Sequence, residues 1–90
     1  MLVLPVDLTQ RQATACVRML LQSLRAHEGN AVVADATALT SFDSSALAVL
    51  LECRRETLSR GKAFSVRGLP ARLRELAVLY GVAELLPAAP

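Results

Sequence analysis

The sequence predicts a small α/β domain, a mixed β-sheet with helices packed on it, from three observations. Short apolar runs alternate with longer segments of helical period, and the connections between them are brief. The run Ala31-Val32-Val33-Ala34 is continuously apolar, as in a central strand buried on both faces. Three separate segments carry the i, i+3, i+4, i+7 spacing of amphipathic helices.

Each element can be placed in order. Leu2-Val3-Leu4 reads as a short strand closed by Pro5. Thr9, with Gln12 three residues on, fits a capping box. Ala13, Cys16, Val17, Leu20, Leu21 and Leu24 then form the inward stripe of a first helix. His27 and Gly29 follow as ordinary stop signals, so the lone histidine reads as a helix-end residue, not a ligand or base.

After the central strand, Asp35 marks its carboxyl end. The second helix starts near Ser44 or Ser45, runs to about Ser59 and stops at Gly61. Phe64 and Val66 alternate with Ser65 and Arg67 in a third strand. Leu69-Pro70 opens a third helix, with Leu73, Leu76, Ala77 and Tyr80 facing inward and Gly81 ending it. Val82, Leu85 and Leu86 make a short apolar ending, so the domain spans residues 1–87 with 88–90 as a tail.

Composition narrows the function. Of 90 residues, 53% are hydrophobic but only 3% aromatic, so the excess is alanine, leucine and valine. A domain this small cannot bury all of it, which points to an apolar surface facing another protein. The net charge of +2 is too weak for a nucleic-acid partner, and Glu52 and Glu56 interrupt the basic group Arg54, Arg55, Arg60 and Lys62. Cys16 and Cys53 belong to no metal or redox spacing and read as buried hydrophobes. Met1-Leu2-Val3-Leu4 reaches Pro5 and Asp7 too soon for an apolar leader core, and no stretch is long enough to span a bilayer. A cytosolic protein without direct membrane insertion is expected.

The candidate site is the loop entering the second helix. Thr40, Ser41, Asp43, Ser44 and Ser45 crowd it, although one acceptor suffices to cap a helix. At that position backbone N–H groups lack partners and the helix dipole favours negative charge. The helix then opens with Ala46-Leu47-Ala48-Val49-Leu50-Leu51, apolar all round. With Leu47, Leu50, Leu51 and Leu58 on the sheet, Ala46, Val49 and Cys53 form a neighbouring flank that a lone domain would make polar. In the third helix Val78 and Leu79 lie off the inward stripe, so Leu79 and Tyr80 are candidates for the same exposed patch. Catalysis finds no support. A serine nucleophile needs a nearby base, the one histidine lies at the end of the first helix, and P-loop, G-x-G-x-x-G, G-x-S-x-G and H-E-x-x-H patterns are missing. No cofactor or metal is expected, and Asp35 and Asp43 read as structural carboxylates.

The run from Val32 to Leu51 resembles the signature of STAS domains, the family of anti-sigma-factor antagonists and transporter regulatory domains. Asp35 matches the strand-end aspartate, and Asp43-Ser44-Ser45-Ala46-Leu47 matches the helix start, with Ala46 where most members have glycine. The resemblance implies that Ser44 is the phosphoacceptor wherever a member is phosphorylated. Leu73 to Val82 and Glu84-Leu85-Leu86-Pro87 are similar to the ending of STAS subunits of Mla-type phospholipid ABC transporters. That narrower likeness implies a non-catalytic accessory subunit that binds the cytosolic ATPase and serves outer-membrane lipid asymmetry. It would be cytoplasmic and peripheral to the inner membrane through the transporter complex. The alternative it leaves is an antagonist that binds an anti-sigma factor serine kinase and is switched by phosphorylation of Ser44.

Overall fold

The computed structural model describes residues 1–90. Strands β1 (Leu2–Val3), β3 (Ala31–Asp35) and β5 (Ala63–Arg67) form one sheet in the order β1-β3-β5. Strands β2 (Asp7–Leu8) and β4 (Ser41–Phe42) form a second, two-stranded sheet. Helices α1 (Gln10–Arg25), α2 (Ser45–Ser59) and α3 (Ala71–Leu79) and a 3-10 turn at Ala83–Leu85 complete the chain. The α/β class expected from the alternation is the one observed, but every strand pairing is parallel and the sheet is not mixed. The reason lies in the connections. No two successive strands of the main sheet are joined by a hairpin, and each is reached by a helical crossover, which parallel pairing requires.

The main sheet grows in one direction, from β1 through β3 to β5. Right-handed crossovers that advance in one direction put their helices on one face. Burial follows that rule: Leu2, Val32, Ala34, Phe64 and Val66 are buried, whereas Val3, Ala31, Ala63 and Arg67 are exposed. Ala31 to Ala34 is therefore the central strand as expected, but only one of its faces is fully covered. Its alternation is invisible in sequence because the outward positions hold Ala31 and Val33.

Twenty buried hydrophobic residues form one cluster beneath the helices. On α1 the expected stripe holds, with Cys16, Leu20 and Leu24 buried and Ala13, Val17 and Leu21 packed against the cluster. Gln12 Oε1 accepts from the Thr9 N–H at 2.9 Å and from Thr9 Oγ1 at 2.6 Å, fixing the helix start. His27 ends it, its Nε2 donating to the Ala31 carbonyl at 3.0 Å while its own carbonyl accepts from Lys62 Nζ at 2.6 Å. Past α3, Leu86 is fully buried, and the Pro87 carbonyl and Ala89 N–H each bond the backbone of Val66 at 2.8 Å. Residues 88 and 89 thus lie along the free edge of β5.

Candidate functional site

The two short strands β2 and β4 decide where the site is built. Asp7 pairs with Ser41 and Leu8 with Phe42, so the segments leading into α1 and α2 run side by side. The Val6 carbonyl accepts from the N–H groups of Thr40 (2.9 Å) and Ser41 (3.1 Å), which seats the hydroxyl loop on the start of the chain. The first turns of α1 and α2 are adjacent as a result, and one side chain serves both. Asp43 Oδ1 accepts from the Ser45 N–H at 2.8 Å, and Asp43 Oδ2 accepts from the Gln10 N–H at 3.1 Å. The bonds from the Gln10 and then the Ser45 backbone hold its carboxyl below the usual aspartate range, so it is ionised at neutral pH.

This arrangement frees the serine that follows. Ser44 sits in helical conformation (φ −61°, ψ −16°), exposed, contributing its carbonyl to the N–H of Leu47 at 3.1 Å. Ser45 is half-buried. Capping therefore falls to Asp43, and the Ser44 hydroxyl faces solvent at the positive end of α2.

Asp35 is used differently. Its Oδ1 accepts from the Thr37 backbone N–H at 2.9 Å and from the Thr37 hydroxyl, which, together with Arg67 nearby, lowers its carboxyl. The Ala36 N–H donates to the Arg67 carbonyl at 2.8 Å, binding this turn to the end of β5. Gly68 follows at φ +67°, where a Cβ would stand 2.6 Å from Thr37 Oγ1 and 3.1 Å from its Cα. Only glycine fits that approach. Asp35 and Asp43 each bond nearby backbone N–H groups, which suits structural carboxylates.

Between the loop and α3 lies an open groove of about 910 Å³. Leu39, Thr40, Ser41 and Phe42 line one wall; Pro70, Ala71, Arg72, Glu75, Leu76 and Leu79 line the other. It sits past the carboxyl ends of β3 and β5, where open α/β sheets present their crevices. Thr40, Ser41 and Leu79, singled out by sequence, meet here. At the far end of α3, Val78 (64%), Leu79 (75%) and Tyr80 (57%) are all exposed, three large apolar residues in a row. Tyr80 thus leaves the inward stripe expected for it, because the helix ends at Leu79 and the chain turns away at Gly81.

Two expected site residues are not on the surface. Ala46 (0%) and Val49 (1%) lie in the core with Cys53 (0%), because α2 packs against α1 on that flank as well as against β5. Burial pushes the Cys53 thiol up to about 12 and raises that of Cys16, as expected of inert hydrophobic thiols. Leu58, expected on the sheet, is 45% exposed, and Thr57 takes the inward place with its hydroxyl bonded to the Cys53 carbonyl at 2.7 Å. Phe42, Arg72, Glu75 and Leu76 were not singled out as site residues. Phe42 alone, an aromatic amid hydroxyls, carried a signal.

A hydroxyl-bearing helix start, braced by Asp43 beside a parallel sheet with its helices on one face, is the arrangement that the STAS resemblance implies. In fold the chain is similar to a Thermotoga maritima protein assigned as an anti-sigma factor antagonist, with a TM-score of 0.78 at 15% identity, over 96% of this chain and 75% of that one. The chain belongs to the family described as Mlab, STAS domain, whose model matches residues 1–87. Comparison with curated proteins gives no match. No helix is long and apolar enough to cross a membrane.

Proposed function

We propose that this chain is a non-catalytic accessory subunit that binds the cytosolic ATPase of a Mla-type phospholipid ABC transporter. The supporting observation is the groove, which sets the hydroxyls of Thr40 and Ser41 against the apolar Leu76 and Leu79, beside the exposed Ser44. Membership of the Mlab-type STAS family supports an ABC transporter ATPase as that partner. Asp43 shapes the surface from beneath by bracing both helix starts, Ser45 anchors that brace, and Tyr80 extends the apolar side. In this reading the chain works in the cytoplasm, peripheral to the inner membrane through the transporter, and serves outer-membrane lipid asymmetry. Co-purification of the transporter ATPase with the tagged chain tests it. Ser44→Arg is expected to abolish the complex while leaving the fold intact, and an intact complex in that variant would refute the interface.

A second reading rests on the exposure of Ser44 directly after Asp43 and on the assignment of the Thermotoga maritima relative in fold. There the chain is an anti-sigma-factor antagonist and Ser44 the phosphoacceptor of an anti-sigma factor serine kinase. A phosphate would add nearly two negative charges beside an ionised carboxylate and repel the partner. Incubation with the kinase and ATP, followed by intact mass, would show one added phosphate in the wild type and none in Ser44→Ala.

A further inference from the structure

The outward face of α1 carries charge that nothing else on the helix balances. Arg11, Arg18 and Arg25 stand seven residues apart and are all exposed. Seven residues fall about 20° short of two full turns, so the three side chains leave along one line at intervals of about 10.5 Å. Ala15 and Gln22, also exposed, lie between them, with Met19 alongside at 48% exposure. Helix α1 holds no Asp or Glu. Both ion pairs of the structure are made by glutamates of α2, Glu52 with Arg55 and Glu56 with Arg60 just past the helix end. Helix α2 offsets part of its positive charge with its own glutamates, whereas α1 leaves all three of its arginines unpaired.

We propose that this face docks an acidic α-helix of another polypeptide, one that presents carboxylates at every seventh position. A second helix lying along α1 repeats at the same interval of about 10.5 Å, so each arginine meets a carboxylate in register along the whole length. The guanidinium fork then takes each carboxylate in two parallel hydrogen bonds. Ala15 keeps the space between two arginines low, which allows the close approach of packed helices. Other anionic partners fit less well. The apolar side of α1 is sealed in the core, so a membrane would be held by three cations with nothing to insert. One row of three arginines also falls short of the roughly 6–10 phosphate contacts that make DNA binding strong. The stripe runs the length of α1, away from the groove at α3, and does not depend on what the groove binds.

The test uses the full chain and a labelled three-heptad peptide with Glu at every seventh position, followed by fluorescence anisotropy. An isomer of equal composition with its Glu residues scattered, phosphatidylglycerol vesicles and duplex DNA are the comparison probes. The heptad peptide should bind at least about tenfold tighter than the scattered isomer and weaken about tenfold as salt rises from about 50 to 500 mM. Arg18→Glu should remove binding with an unchanged circular dichroism spectrum, while Arg55→Glu, on the self-paired helix, should not. Equal binding of the two peptides, stronger binding to vesicles or DNA, or an unaffected Arg18→Glu variant would each overturn the proposal.

Discussion

The flank of α2 formed by Ala46, Val49 and Cys53 and the end of α3 formed by Val78, Leu79 and Tyr80 look alike in sequence. Each places apolar side chains beyond the stripe that a helix needs for packing on a sheet. In the structure they have opposite fates: the α2 flank is fully buried, and the α3 end is bare. The difference is not in the helices but in their neighbours. Helix α2 lies between α1 and α3, so two of its sides are interior, whereas α3 packs against α2 and the short 3-10 turn that follows it. An apolar surplus signals an interface, and whether that interface is internal depends on how many elements the topology sets beside it.

The largest expected effect breaks the buried member of this pair. Val49→Asp would place an unpaired carboxylate between α2 and its neighbours, at a cost on the order of 4 kcal/mol, most of the stability of a domain this size. Urea unfolding followed by circular dichroism should show the transition moved to much lower urea concentration. Native alkylation reads the same burial without a charge. Cys53, its thiol pushed up to about 12, should resist iodoacetamide at pH 8 in the folded wild type and react once urea is added. Fast labelling of native protein would mean that the α2 flank opens.

A smaller effect tests how α3 is held. Gly68 carries the chain from β5 toward α3 and touches Thr37 in the turn after β3. Gly68→Ala combines a left-handed backbone with a contact at 2.6 Å and should cost about 1–3 kcal/mol. Gly61, at φ +72° with nothing near its missing Cβ, bears the backbone penalty alone. Its Ala variant should cost about 1 kcal/mol, and equal losses at the two positions would show that the contact with Thr37 does not matter.

Acid provides a weaker probe of both regions. The carboxyls of Asp43 and Asp35 lie below their ordinary value in the folded chain, so each stabilises the fold at pH values above the unfolded pKa. That contribution is lost as pH falls from about 4 downward through the lowered folded values. Urea midpoints between pH 7 and pH 3 should fall. Asp43→Asn, which loosens the shared start of α1 and α2, and Asp35→Asn, which loosens the turn held against β5, should each reduce the fall. A variant with an unchanged pH profile would show that its carboxylate is not bonded as described.

Much of this architecture could be read directly from residues. Thr9 with Gln12 announced the start of α1, the stripe from Ala13 to Leu24 its buried side, and Asp43-Ser44-Ser45 the entry to α2. The strands β2 and β4 were not legible, because two residues have no period. Without them nothing in the sequence sets the starts of α1 and α2 side by side or gives Asp43 its second partner, Gln10. The groove was hidden for a related reason. No spacing rule places Arg72 and Glu75 opposite Thr40 and Ser41; the parallel pairing of β3 with β5 does that. Thr57 concealed the inward face of α2, since a hydroxyl satisfied by its own helix packs like an apolar side chain.

The smallest effect on stability belongs to the exposed member of the pair, and there the two fates separate cleanly. Leu79→Asp adds a charge to a side chain that already faces water, so unfolding should shift by no more than about 0.5 kcal/mol. If the α3 end is covered only by a partner, the same substitution should weaken the complex with the transporter ATPase by at least about tenfold, because the new carboxylate would be desolvated on docking. A pull-down and a urea titration on one preparation provide both numbers. Loss of binding with stability kept would assign this surface to the partner. Loss of stability with it would mean that the α3 end is covered by the chain itself, and the contrast with the α2 flank would disappear.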